Sequence, residues 1–152
     1  RDVGTVDSYW DANIDLTATE PLLDLYDTHW PIWTHQGQLA PAKFVHNEEG
    51  RRGMALESLV SNGSIISGSV LRSVLFWRVR VHSYASVEWS VLLPGVEVGR
   101  HARLRRAIVD RGCTIADGLV IGEDAQADAQ RFFRTDSGIT LVTAAMLVRL
   151  HA

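Results

Sequence analysis

The chain has 152 residues, enough for one domain with a real core or one domain and a small appendage. Hydrophobic residues at 46% and charged residues at 22% exclude wholesale disorder, and a net charge of −3 disfavours a general binder of nucleic acid or anionic membrane. A single cysteine, Cys113, excludes an internal disulfide framework and a cysteine-rich metal site, and it fits a reducing compartment.

No apolar run approaches a membrane span, and no charged-then-apolar signal segment opens the chain. The sequence starts at Arg1, in what reads as the middle of a motif, so a fragment is expected. Residues 1–30 have helical character. Thr5 can cap a helix running from Val6 to Leu16, with Val6, Tyr9, Trp10, Asn13 and Leu16 on one face and Asp7, Asp11 and Asp15 on another. Glu20-Pro21 predicts a second short helix from Leu22 to Tyr26, since proline is tolerated in a first turn.

Residues 31–58 read as a linker with partial order. Pro31, Gly37, Pro41, Gly50 and Gly53 punctuate them around the charged run Glu48-Glu49-Gly50-Arg51-Arg52. Short strands are expected at Ile32–His35 and Lys43–Val45. The best domain boundary lies here, which leaves 59–152 as the second unit.

Residues 64–124 repeat every seventeen positions. One column reads Val70, Val87, Leu104, Ile121. Others read Val74, Val91, Ile108; Leu75, Leu92, Val109; and Val79, Val96, Cys113. Gly68, Ala85 and Ala102 form a small-residue column that Leu119 breaks, and Ser73, Ser90 and Ala107 form another. The apolar positions are short, often β-branched, and five or six apart, which is the pattern of three short strands per turn of a solenoid. Such turns share one interior only when several stack. A small antiparallel β-sandwich with similar strands is the competing reading. The architecture expected is mainly β, a left-handed parallel β-helix of the hexapeptide type with helical segments at both ends. Residues 125–152 break the repeat. Ala125 to Phe133 is helix-prone, Arg134 to Gly138 is a turn, Ile139 to Val142 a strand, and Thr143 can cap a last helix from Ala144 to Leu150 that covers the open end.

The opening Arg1-Asp2-Val3-Gly4-Thr5-Val6-Asp7-Ser8-Tyr9-Trp10, the stretch Leu39-Ala40-Pro41-Ala42-Lys43-Phe44, the coils Ser73-Val74-Leu75-Phe76 and Val91-Leu92-Leu93-Pro94, and Ile121-Gly122-Glu123-Asp124 together resemble bacterial glucose-1-phosphate adenylyltransferase, in its C-terminal part only. The resemblance implies that 1–30 is the helical end of a nucleotidyltransferase domain and that 59–152 is a β-helical domain for regulation and oligomerisation. It implies a parent reaction in which ATP and α-glucose 1-phosphate give ADP-glucose and pyrophosphate with Mg²⁺, in the cytoplasm, within a homotetramer that answers to sugar phosphates and AMP. No nucleic-acid or membrane partner is implied. The Gly-rich nucleotide loop of that family is absent here, so this chain alone is not expected to turn over.

By resemblance, Asp2 is the carboxylate that ends the catalytic domain and helps hold the metal; its other reading is an exposed aspartate with no partners in this chain. Mg²⁺ takes one or two carboxylates plus phosphate oxygens, which suits the role. Arg111, in Val109-Asp110-Arg111, matches a position that meets the AMP phosphate. It belongs to a basic cluster with Arg100, Arg103, Arg105 and Arg106, which cannot all share one strand face and whose plain reading is solvated surface. Arg131, Arg134 and Arg149 lie in the second effector region. Ala144 and Val148 stand where some relatives place arginine, which puts a fructose 1,6-bisphosphate response in doubt or points to another activator.

Trp77 and Trp89 fall in outward columns, Trp77-Pro94-Arg111 and Arg72-Trp89-Arg106, and read as an interface or as scattered surface aromatics. Histidines 29, 35, 46, 82, 101 and 151 lack metal-ligand spacing. Cys113 reads as a buried, inert thiol, and Ser67, Ser69 and Ser83 lack a triad context. A hexapeptide-repeat acyltransferase using His82 or His101 is the second functional reading, and a stand-alone scaffold that modulates a full-length subunit the third.

Overall fold

Strands of two or three residues cannot stand as a sheet by themselves, so each must stack on the equivalent strand of the next turn. That stacking is what the computed structural model shows for the described residues, 2–33, 35 and 37–150. They form a left-handed parallel β-helix. Helix α1 (Val6–Asp15) lies on one of its sides, and α2 (Ala125–Arg131) and α3 (Ala144–Leu150) sit at its C-terminal end. The first face pairs Lys43–Phe44, Ile65–Ile66, Arg80–Val81, Glu97–Val98 and Thr114–Ile115. The second pairs Met54–Leu56, Ser69–Leu71, Ser86–Glu88, Arg103–Arg105 and Val120–Ile121. The third runs Leu59–Val60, Val74–Leu75, Val91–Leu92, Ala107–Val109 and Thr140–Val142, with Phe133–Arg134 antiparallel at its edge.

The register stacks the expected columns. Val87 pairs with Val70 and Leu104, and Leu104 pairs with Ile121, all four fully buried. Leu75, Leu92, Val109 and Val142 make the inward row of the third face, and Ile66, Val81, Val98 and Ile115 that of the first. Val79, Val96 and Cys113 fill a corner of the same core.

Apart from the short Ser67-Gly68 corner, the described corners carry a residue in the left-handed region. Glu57, Arg72, Trp89 and Arg106 turn the chain between second and third faces, with φ between 44° and 50°. Tyr84, His101 and Gly118 do so between first and second, and Gly63, Arg78, Gly95 and Gly112 between third and first. Such a backbone costs a residue with a Cβ about 1 kcal/mol or more, so regular stacking must outweigh it. A hydroxyl ladder helps beside the second-to-third corner. Ser58 Oγ accepts the N–H of Ser73, Ser73 Oγ that of Ser90, and Ser90 Oγ that of Ala107, at 3.0–3.1 Å. Each hydroxyl donates in turn to the carbonyl two residues before it, at 2.7–2.8 Å.

The repeat is not uniform. Ser69 pairs with Met54, fifteen residues back, and Ser86 with Ser69, seventeen back. The two extra residues enter at the first-to-second corner, where His82–Ala85 replace Ser67-Gly68.

Several expectations need correction. The stretch read as linker contains the first turn of the solenoid, because Lys43–Phe44 and Met54–Leu56 pair with the strands of the next turn. The hairpin Asn47–Glu48/Arg51–Arg52 is inserted between them. No helix forms at Leu22–Tyr26. The carboxylates of Asp24 and Asp27 accept the N–H groups of Tyr26 and His29, and the exposed Leu22 and Tyr26 have no surface to pack on. Ile32, Trp33 and His35 are in no strand; Thr34 of that expected strand lies outside the described residues, as do Arg1 and His151. Helix α2 stops at Arg131, since Phe132 leaves the helical region to become core and Phe133 pairs with Leu141.

Helix α1 opens on the expected Thr5 cap, completed by a reciprocal bond from the Thr5 N–H to Ser8 Oγ. Trp10 and Ile14 are its buried residues. They cover Val91 and Ile108, the outward row of the third face, so that face is buried on both sides. At the far end, Phe132 and Leu147 close the core, with Met146 and Leu150 packed against it.

Candidate functional site

Asp2 lies four residues before α1, exposed to solvent. Its Oδ1 accepts the Gly4 N–H at 3.0 Å, which turns the carboxylate back towards the helix N-terminus. Among the described residues no three histidine, cysteine or acidic side chains come together as a cation site. Mg²⁺ takes one or two carboxylates plus phosphate oxygens, and Asp2 offers one carboxylate.

The structure separates the five clustered arginines. Arg103 and Arg105 flank inward Leu104 on the second face, and Arg103 bonds Glu123 at 2.9 Å. Arg100 lies 5.8 Å over the Tyr84 ring at the first-to-second corner, and Arg106 lies 4.7 Å over Trp10 on the second-to-third. Arg111 stands at the third-to-first corner, exposed, after Asp110, whose carboxylate accepts its N–H at 2.8 Å.

Arg131, Arg134 and Arg149 come from elements gathered at the C-terminal end, where α2 packs on α3 and on the Phe133–Arg134 strand. Their states differ. Arg131 is engaged internally: Nη2 meets Asp128 Oδ1 at 2.8 Å and the Val120 carbonyl at 3.0 Å, and Nε donates to the Ala127 carbonyl. Asp128 is wholly buried and also accepts the Gly122 N–H at 2.7 Å. Arg134 is partly buried, and its Nε meets no hydrogen-bond acceptor. Arg149 is exposed in the last turn of α3. Neither Asp2, nor Arg111, nor any of these three arginines lines either of two open clefts. One, of about 750 Å³, lies beside the hairpin at Arg51, Arg52 and Tyr84, and the other, of about 520 Å³, lies between α1 and Trp89.

Trp77 is exposed, edge-on to Phe76. Trp89 is outward as expected, but its neighbour is within the chain. Trp10 stacks on it at 6.4 Å and donates its indole N–H to the Trp89 carbonyl at 2.7 Å. His82 pairs with Glu97 at 2.6 Å, and His101 stacks on Tyr84 at 4.8 Å. Cys113 is buried, and burial, then the Asp110 charge, push its thiol above the ordinary value.

One group escaped the sequence reading, where Asp7 counted only as an acid of a first helical turn. Asp7 Oδ1 accepts the hydroxyls of Thr135 and Ser137, each at 2.7 Å. Those hydroxyls, Ser137 first, hold its carboxyl below the ordinary aspartate range, with a smaller push from the Arg106 charge. No local pattern announces a contact across that much sequence.

The family model described as GlmU-like, C-terminal hexapeptide matches residues 40–142, which spans the solenoid from its first strand to its last. Along nearly its whole length the chain is similar to proteins named glucose-1-phosphate adenylyltransferase. It is 63% identical over 152 residues to the one from Albidiferax ferrireducens, covering 99% of this chain and 36% of that protein. It is 60% identical over 153 residues to that of Paramagnetospirillum magneticum, covering 100% and 36%, and 56% identical over 152 residues to that of an Enterobacter, covering 99% and 35%. The chain thus spans about a third of the length of the curated relatives it matches, their C-terminal part. A solenoid of stacked three-strand turns, matched from its first strand to its last, places the chain in the GlmU-like C-terminal hexapeptide family.

Proposed function

We propose that this chain is the regulatory and assembly region of a glucose-1-phosphate adenylyltransferase and does not turn over substrate by itself. The likeness to proteins of that name over 99% of the chain, at 63% identity, carries the reading. In the parent reaction an oxygen of α-glucose 1-phosphate attacks the α-phosphorus of ATP and pyrophosphate leaves. Charge neutralisation at the phosphates is the main demand of such chemistry. Asp2 supplies one carboxylate towards Mg²⁺, and the remaining ligands and the nucleotide loop belong to the part of the relatives that this chain does not span.

Effector phosphates, those of AMP and of glycolytic sugar phosphates, are read by arginine, whose planar fork meets phosphate oxygens in pairs. Exposed Arg111 and Arg149 are the ready candidates. Arg134, at the C-terminal end, offers a buried Nε donor, and Arg131 joins only by releasing Asp128. The outward faces of the solenoid, with Trp77 at one corner, serve assembly into a homotetramer in the cytoplasm.

The test uses the purified chain. It should form no ADP-glucose from ATP, glucose 1-phosphate and Mg²⁺, and it should bind AMP in calorimetry with an affinity that Arg111→Ala lowers about tenfold, the loss of one good phosphate contact. Turnover at the rate of a full-length relative would sink the reading. Binding of an acyl-CoA in the same cell, lost on His82→Ala, would favour acyl transfer instead.

A further inference from the structure

An apolar stripe is enough to press a helix onto a sheet, but it does not fix where the helix stops along that sheet. Trp10 and Ile14 supply the stripe. Directional bonds set the register of α1: the Trp10 indole N–H to the Trp89 carbonyl at 2.7 Å, and a second set at its first turn. Asp7 Oδ1 takes two hydroxyl hydrogens, from Thr135 and Ser137, in the turn between Phe133–Arg134 and Thr140–Val142. Thr135 Oγ1 in turn accepts the Ile139 N–H at 3.0 Å, so the same hydroxyl shapes the turn. Arg106 closes the group from the solenoid corner. Its guanidinium lies 4.7 Å over the Trp10 ring, and its Nη2 donates to the Ser137 carbonyl at 3.3 Å.

Upstream of Asp7 the bonding continues. The Thr5–Ser8 box fixes the helix N-terminus, and the Gly4 N–H reaches Asp2. Three sets of bonds thus follow one another along residues 2–8, joined by the short backbone between them: Asp2 to Gly4, Thr5 to Ser8, and Asp7 to the turn 135–138. The turn lies directly after Arg134 and packs in the same end as Arg131.

We propose that Asp7 and Arg106 are positioning residues, which hold the segment bearing Asp2 in register with the turn 135–138, so that a rearrangement of that turn is felt at Asp2. The functional weight of the inference rests on the reading of Asp2 given above; the coupling itself does not. Two hydroxyls on one ionised acceptor form a stronger tie than neutral bonds give. The tie is also selective, because it joins two peripheral elements and leaves the stacked interior alone.

Amide hydrogen exchange on the 152-residue chain tests the coupling. Asp7→Asn should speed exchange of Gly4 and of the α1 amides about tenfold, and that of residues 135–140 likewise, with strands 86–88 and 103–105 unchanged. Asp7→Glu, which keeps the charge, should restore part of the protection. The reciprocal pair Thr135→Val with Ser137→Ala should loosen α1 to the same degree, and adding Asp7→Asn to it should do nothing more. Unchanged α1 exchange in either variant, or full additivity of the two, overturns the proposal. In a polypeptide that also carries the N-terminal part found in the relatives, Asp7→Asn should lower kcat about fivefold with KM for glucose 1-phosphate held; unchanged kcat overturns the positioning role even where exchange is coupled. An extended wild-type polypeptide that forms no ADP-glucose would instead refute the functional reading, while the exchange result still decides the coupling.

Discussion

At the scale of single residues, the chemistry of this chain is a matter of which groups are already engaged. Asp7 gains its hydroxyl partners only in the folded state, so its carboxyl titrates below the ordinary value of about 3.9. A lowered carboxylate contributes stability that is present above that ordinary value and is lost as pH falls through the lowered one. Arg106 is the charged group that faces it. Tryptophan emission from Trp10 should therefore report loosening of α1 below about pH 4, and Asp7→Asn should flatten that dependence. Cys113 behaves in the opposite sense, because burial disfavours its thiolate. It should resist a disulfide reagent at pH 8 in the native chain and react fully once the chain is unfolded. The Ser90 hydroxyl bridges two turns, accepting from Ala107 and donating to Glu88. Ser90→Ala leaves a buried N–H without an acceptor and should cost about 1–3 kcal/mol in denaturant melts.

Elements show why local pattern succeeded in some places and failed in others. Helix α1 was legible from Thr5 and the acids that follow, since capping is a local signal. Its buried face was only half legible: Ile14 replaces Leu16 at the contact, because the surface of the third face, and not the helix, sets the line of packing. The helix expected at Leu22–Tyr26 fails for the converse reason, having nothing to pack against, while Asp24 bonds its backbone locally at Tyr26 and Asp27 does the same just beyond it at His29. At the C-terminal end, Gly122 sits at a φ of 94°, and a Cβ there would fall 1.8 Å from the Arg105 carbonyl oxygen. Gly122→Ala should therefore lower stability by more than 2 kcal/mol, through both strain and the shifted bond to Asp128, as thermal melts can show. Trp10→Ala should cost about 3 kcal/mol in the docking of α1 while the solenoid stays folded, visible as lost protection confined to residues 6–15.

For the molecule as a whole, stability is distributed along a stack. A middle turn has two neighbours, so Leu104→Ala, at the centre of a buried column, should cost about 2–5 kcal/mol. The first turn has only one neighbour. Phe44 crowns the inward column above Ile66 yet remains 47% exposed, and amides of 43–56 should exchange faster than those of 86–109. The C-terminal end has no such weakness, because Phe132 and Leu147 cover it.

The period of seventeen, the identity of the stacked aliphatic columns, the outward place of Trp89, the Thr5-capped first helix and the helices at the C-terminal end were all determined by the amino-acid sequence alone. Each follows from a repeat or a local propensity that neighbouring residues express. Only the tertiary structure decided that the solenoid begins at Lys43, that Trp89 meets Trp10, that Arg131 is spent on Asp128, and that Asp7 reaches Thr135 and Ser137. The contacts of Trp10 and Asp7 depend on which surfaces meet after the coils have stacked, and no periodicity records a contact between residues 79 or about 130 positions apart.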